Sequence, residues 1–177
     1  PQTSSSSSSG YVTVATNEPT GTPGLSIAGQ IVTITVDTLS VGNTVTLVYG
    51  DDTASLQGHA TAATTVGSYI FLVESDPVGG APSPIATSPS LNVIASTPAS
   101  LDIVPDDSTG VVAGSFAPLS IRVLDAYGNR TNVTGNRNVT LSATHGQYYD
   151  PSNHATPITS TSISNGTNTK RVDFRPT

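Results

Sequence analysis

The stretch VLDAYGNRT, residues 123–131, places an Asp, a Tyr, a Gly, an Asn and an Arg between positions 125 and 130. It follows the run 119–123, in which apolar and polar residues alternate as they do in a half-buried strand. Asp125 ends that strand, and Gly128 and Asn129 tolerate positive φ, so the stretch predicts a tight turn. The carboxylate of Asp125 can accept hydrogen bonds from the backbone N–H groups of this turn. The same side chains could form a catalytic cluster, but turn chemistry accounts for them.

Apolar residues alternate with polar ones along most of the chain, and no segment shows a sustained helical stripe. Because each strand is apolar on one face, several short strands separated by Gly, Pro, Asn and Asp predict β-sandwiches. The segment YIFLV at 69–73 is apolar on both faces and predicts a central strand covered on both sides. The predicted strands are 10–16, 30–37, 44–50, 69–73, 90–95, 100–104, 119–123, 139–143 and 172–174.

The composition favours strands over helices and excludes several kinds of covalent link, metal site and catalytic nucleophile. Charged residues make up 10% of the chain, against about 25% in ordinary globular proteins, whereas Ser and Thr together exceed a quarter of it. The chain has no cysteine, which excludes disulfides, thiolate zinc sites and cysteine nucleophiles. No motif predicts an organic cofactor.

The formal net charge of −6 belongs to residues 1–100, which contain six acids and neither Lys nor Arg. The remaining residues contain six acids and all six basic residues. Because a nucleic-acid backbone repels such a surface, we expect no nucleic-acid partner. No apolar run approaches 18 residues, so we also expect no insertion into a membrane.

The fold that these patterns predict is all-β, with two tandem β-sandwich domains over 1–96 and 97–177. The boundary is placed in IASTPASLDIV, residues 94–104. Pro98 in this segment has no backbone donor and fits poorly inside a central strand.

Residues 99–144 resemble the bacterial immunoglobulin-like modules of invasin-type surface proteins. The matching positions are Ala113-Gly114, Leu119–Val123, Asp125, Gly128-Asn129 and Val139–Leu141. The first half, from ITVDTLSVGNTVTLVYGD to IATSPSLNV, resembles a further module found in long secreted bacterial proteins. The resemblance implies that the two sandwich domains are immunoglobulin-like. It also implies an extracellular or cell-surface location and a structural or adhesive role, and it implies no particular ligand.

The resemblance also implies that both modules are incomplete. Domain 1–96 would lack N-terminal strands, and domain 97–177 would lack its last strand. A sandwich without a terminal strand exposes unpaired backbone and an apolar groove. Either the chain is part of a longer one and neighbouring domains complete it, or another subunit donates a strand, as in a filament. We therefore expect self-association or contacts with neighbouring domains.

Four carboxylates form the strongest candidate metal site: Asp51, Asp52, Glu74 and Asp76. Glu74 and Asp76 are two residues apart and share a face of a strand. If loops bring the two pairs together, they supply the hard oxygen ligands that Ca²⁺ prefers. Neither stretch has the spacing of a calcium-loop motif, so a solvated acidic rim is the alternative.

The segment HGQYYDPSNH, residues 145–154, holds His145, Asp150 and His154 in one predicted loop. Two imidazoles and a carboxylate can bind zinc, and a His can act as a base, but the spacing matches no ligand rule. Tyr148 and Tyr149 could stack on a sugar, although such a pair more often packs one ring into the protein. Carbohydrate is therefore a second candidate partner.

Three N-x-[ST] sequons lie at Asn132, Asn138 and Asn165 and predict glycosylation sites in a host that modifies them. Chance sequons are the alternative in a Thr-rich chain.

The favoured function is a non-catalytic structural or adhesive module of a cell-surface protein or filament, assembled by strand exchange between subunits. The alternative is a pair of accessory domains, acting as spacers or contacting carbohydrate, in a secreted polysaccharide-active enzyme. A catalytic domain is the least favoured, because no nucleophile or triad signature is present.

Overall fold

The computed structural model describes residues 1, 9–51, 59–107, 110–112 and 114–177, and throughout these ranges the chain is all-β. None of the described segments forms a helix that could cross a membrane. The chain divides into two compact units, Pro1–Ala62 and Ala63–Thr177. The predicted module boundary at 96/97 lies inside the second unit, and the two tandem immunoglobulin-like modules stay a prediction.

In the part of the first unit that the structure describes, residues 1, 9–51 and 59–62, there are four strands in two antiparallel pairs. β1 (Val12–Thr16) pairs with β4 (Val45–Tyr49). β2 (Gly24–Ala28) pairs with β3 (Ile31–Thr35) across a two-residue turn, where Gly29 has a φ of +61°. A side chain at that φ would strain the backbone, so glycine suits the hairpin.

The second unit begins with two short antiparallel pairs. β5 (Gly67–Ile70) pairs with β8 (Ser90–Val93), and β6 (Glu74–Ser75) pairs with β7 (Ser83–Pro84). The remaining strands are β9 (Ser100–Pro105), β10 (Ala117–Leu124), β11 (Arg137–Thr140), β12 (Gln147–Asp150), β13 (Asn153–Ile158), β14 (Ser160–Ile163) and β15 (Thr169–Arg175).

Two layers enclose the main hydrophobic core. A five-stranded sheet has the order β13-β12-β15-β10-β9, and β11 pairs with β14 in a separate two-stranded sheet. Both sheets contribute buried side chains to one cluster, with Ile121 and Val172 from the first and Val139 and Ile163 from the second. This packing of one sheet on another is consistent with a β-sandwich.

The prediction that YIFLV is a central, doubly covered strand is wrong. Only residues 67–70 form β5, which pairs with β8 alone, and Ile70 and Leu72 are 69% and 68% exposed. An apolar run identifies a strand, but its covering layers must come from elsewhere in the fold. The other predicted strands, at 10–16, 30–37, 44–50, 90–95, 100–104, 119–123, 139–143 and 172–174, all overlap observed strands.

We expect Ile121→Ala to lower the free energy of unfolding by about 2–5 kcal/mol, because it opens a cavity in a fully buried site. The matched variant Ile70→Ala, at an exposed site, should change it by less than about 0.5 kcal/mol. Urea denaturation followed by circular dichroism measures both. Equal losses in the two variants would contradict the assigned core.

Candidate functional site

Asp125 lies at the end of β10 and is 2% exposed. Its carboxylate accepts hydrogen bonds from the backbone N–H groups of Tyr127 (2.9 Å), Asn129 (2.9 Å) and Ser96 (3.0 Å). The side-chain amide of Asn129 donates to it as well, at 3.1 Å. The Asp125 N–H in turn donates to the carbonyl of Asn129 at 2.8 Å, which closes the turn.

These bonds decide the protonation state of Asp125. Burial acts to raise the pKa of the carboxyl, but the hydrogen bonds from Asn129, Ser96 and Tyr127 outweigh it and lower the pKa from 3.8 to about 2. A general base for neutral pH needs a pKa near the working pH and access to a substrate proton. Asp125 has neither, so the turn interpretation of VLDAYGNRT is supported over the catalytic one.

The turn also fixes two segments that are distant in sequence. The side-chain amide of Asn129 donates to the carbonyl of Thr64 at 2.7 Å, and its oxygen accepts the N–H of Val66 at 3.4 Å. The hydroxyl of Thr131 donates to the carbonyl of Ser96 at 2.6 Å. Residues 64–66 and Ser96 are therefore held at the end of β10 by side chains of this single turn.

A second polar cluster lies on the face of the five-stranded sheet that points away from the core. His154 Nε2 is 2.7 Å from Asp173 Oδ2, and Asp173 is 5% exposed. Arg171 Nε lies 3.5 Å from Asp173 Oδ1. The imidazole of His154 stacks on Phe116, with ring centroids 3.9 Å apart. The imidazole thus joins the edge strand β13 to β15 of the same sheet through the polar contact, and to Phe116, directly before β10, through the aromatic contact.

Sequence reasoning missed Asp173, because in RVDFR it resembled one of the polar residues on the solvent face of an alternating strand. His154 bonds to Asp173, whereas Asp150 accepts the N–H and the hydroxyl of its neighbour Ser152. The hydroxyl and the N–H of Ser152 both lower the pKa of Asp150. His145 is exposed. The structure thus gives His154 and Asp150 different partners.

The two neighbouring tyrosines do not form an exposed platform for a sugar. Tyr149 is buried, and its ring meets Phe116 edge-on with centroids 5.1 Å apart. Tyr148 packs against the core cluster and Phe174. Tyr127, at the tip of the Asp125 turn, is exposed, but it follows the opposite end of β10.

The four carboxylates of the predicted calcium site fall in different parts of the chain. Asp51 lies in the first unit and accepts the hydroxyl of Thr13, whereas Glu74 and Asp76 lie in the second unit. Hydrogen bonds from Gly80, Val78 and Gly79 lower the pKa of Asp76, which caps its own turn. Asp52 lies outside the described residues. Within the described ranges no three His, Asp or Glu side chains are grouped to hold a metal, and the calcium site stays a prediction.

All three sequon asparagines are exposed. The Asn132 oxygen accepts the side-chain amide of Asn168 at 2.9 Å, and the Asn165 oxygen accepts the N–H of Gly135 at 2.7 Å. Asn138 lies on β11 next to the buried Val139, so its side chain faces solvent. Glycosylation at these positions stays a prediction.

Comparison of the chain with family models, with curated proteins and with solved structures finds no match.

We expect Asp125→Ala to lower the melting temperature by on the order of 5–10 °C, because three backbone N–H groups lose a charged, buried acceptor. The exposed Asp37→Ala is the matched control and should melt like the wild type. The folded-state pKa of Asp125 is depressed, so its contribution is complete above pH 3.8 and is lost as the pH falls towards about 2. Calorimetry across this range should show the difference between wild type and Asp125→Ala shrinking; a constant difference would contradict the assignment.

Proposed function

We propose that the chain is a non-catalytic structural or adhesive module of a cell-surface protein or an extracellular filament. The polar residues that first suggested chemistry, Asp125 and Asn129, are engaged in holding a turn, which supports a structural role. An extracellular location is what the resemblance to invasin-type modules implies, and the absence of cysteine agrees with it.

The observation that carries this proposal is the way the central strands would bear a load. β9 and β15 both pair antiparallel with β10, so they run in the same direction on either side of it. Ser100 at the start of β9 lies opposite Leu124, and Phe174 near the end of β15 lies opposite Ala117. A force applied to the chain before β9 and after β15 therefore pulls these two strands in opposite directions along their lengths. Each strand is pulled past a different end of β10.

In this direction the hydrogen bonds of both ladders share the load, whereas a force that separates two strands from one end breaks them one at a time. Side chains of the core cluster add resistance, because sliding β10 would move Ile121 and Val123 out of their packed positions. A module of this kind transmits tension between its neighbours, and its loops, including exposed Tyr127, are free to make contacts.

We expect the unfolding force to depend on the direction of pulling, and the cysteine-free chain permits a direct test. Single molecules are held through Ala99→Cys with Pro176→Cys for shear, and through Ala99→Cys with Ala126→Cys for unzipping of β9 from β10. The shear pair should unfold at a severalfold higher force, because its ladder bonds break together. Equal forces would contradict a load-bearing role.

The location is tested separately on cells that produce the protein. Gold-labelled antibodies raised against the chain should decorate the cell surface or extracellular fibres in electron micrographs, because that is where such a module would act. Antibody depleted on the purified chain is the control. Labelling confined to the cell interior would overturn the proposal.

A further inference from the structure

The five-stranded sheet has two edge strands, β13 and β9, and they differ in how easily a further strand could pair with them. β13 contains Pro157, and its pairing with β12 shifts register between Tyr149 and Asp150. A proline and an irregularity on an edge strand both hinder the addition of another strand. In β9 the pairing with β10 is continuous from Ser100 to Pro105.

The backbone of β9 presents a regular row of groups to the open side. The N–H of Asp106 donates to the carbonyl of Pro118, in register with the β9–β10 pairs, so even-numbered residues of β9 bond to β10. The backbone groups of Leu101 and Ile103 therefore point outward. Throughout the described ranges, no strand pairs with this outer edge of β9.

The same two residues carry apolar side chains that the second layer leaves uncovered. Leu101 and Ile103 lie opposite Val123 and Ile121, so their side chains share the core face of the sheet. Val123 and Ile121 are buried, yet Leu101 and Ile103 are 51% and 45% exposed and lie outside the core cluster. This edge thus combines free backbone groups with exposed apolar side chains, as sites of strand addition do.

We propose that β9 pairs antiparallel with β9 of a second copy, about a two-fold axis at Leu101, joining two five-stranded sheets into one. This inference rests on the proposed function, because it names the surface through which copies associate. In this register Leu101 faces Leu101 of the second copy, and Ile103 faces its Ala99. The N–H of Ala99 donates to the carbonyl of Leu124 at 2.8 Å within its own copy, so the backbone donors of the contact are those of Leu101 and Ile103. The apolar side chains then cover one another on the core face.

Charge and backbone chemistry select this register. Pairing centred on Leu101 sets Asp102 opposite Ser100, whose hydroxyl can donate to the carboxylate. Pairing centred on Asp102 would place two carboxylates opposite each other, which is destabilising. Pairing centred on Ile103 would set Leu101 opposite Pro105, which has no N–H. The paired segment 99–103 ends before Pro98 on one side and Pro105 on the other.

Such a contact is short compared with stable interfaces, which bury about 1,200–2,000 Å². Association of free chains should therefore be weak and reversible, and stronger where copies are held together in an array. A covalent trap detects a weak contact well. The chain has no cysteine of its own, so one introduced cysteine reports one position.

The test uses the full chain with Leu101→Cys, Ile103→Cys or, as a control at an exposed apolar site away from β9, Ile94→Cys. In the proposed register the two copies of position 101 have Cα atoms about 5.5 Å apart, within the range of a disulfide. The two copies of position 103 are offset by four residues, or about 13 Å, which is too far. Disulfide formation is followed under mild oxidation at high protein concentration.

We expect Leu101→Cys to form the disulfide dimer at least about tenfold faster than either other variant. Sedimentation of the wild type should show a reversible dimer that Leu101→Lys abolishes and Ile94→Lys retains. Three results would overturn the pairing: equal rates in all three cysteine variants, fastest reaction of Ile103→Cys, or a wild type that stays monomeric at every concentration. The last result is also the one expected if a different protein, and not a second copy, pairs with β9. If the antibodies label the cell surface or fibres but the pairing of β9 is overturned, the proposed function is kept and only this contact between copies is rejected.

Discussion

The buried carboxylate of Asp125 is the constraint on which the second unit depends. An ion removed from water is costly unless hydrogen bonds replace its hydration, and here the turn that follows β10 supplies them. Because Ser96 donates to the same carboxylate and Asn129 holds Thr64, the path of the chain before β9 is tied to the end of β10. That strand in turn places Ile121 and Val123 in the core.

The first unit uses the same device. Glu18 is buried, and its carboxylate accepts the N–H of Ser40 at 2.6 Å and the side-chain amide of Asn43 at 2.8 Å. These bonds, with that of Ser40 foremost, hold the pKa of Glu18 below its ordinary value. In a chain with few charges, ionised side chains that cap loops stiffen the connections between strands. Stiff connections suit the structural role that we propose.

Sequence reasoning succeeded where one strand or one turn carried its own signal. The alternation at 119–123 predicted β10, and Asp125 with Gly128 and Asn129 predicted the turn after it. Sequence reasoning failed where the burial or the partner of a residue depends on segments that are distant in sequence. The exposure of 69–73 depends on which layers cover it, and the contact of His154 with Asp173 depends on the register of β12 between β13 and β15. The polar strands β12–β14 carried no apolar alternation to predict them.

The most direct test of the central claim is an NMR titration of the Asp125 carboxyl carbon, read together with hydrogen exchange of the Ser96, Tyr127 and Asn129 amides. A structural carboxylate should titrate at a pKa of about 2, with these three amides protected from exchange at neutral pH. A pKa at or above the ordinary 3.8, with the amides exchanging freely while that of Ile121 stays protected, would contradict the account.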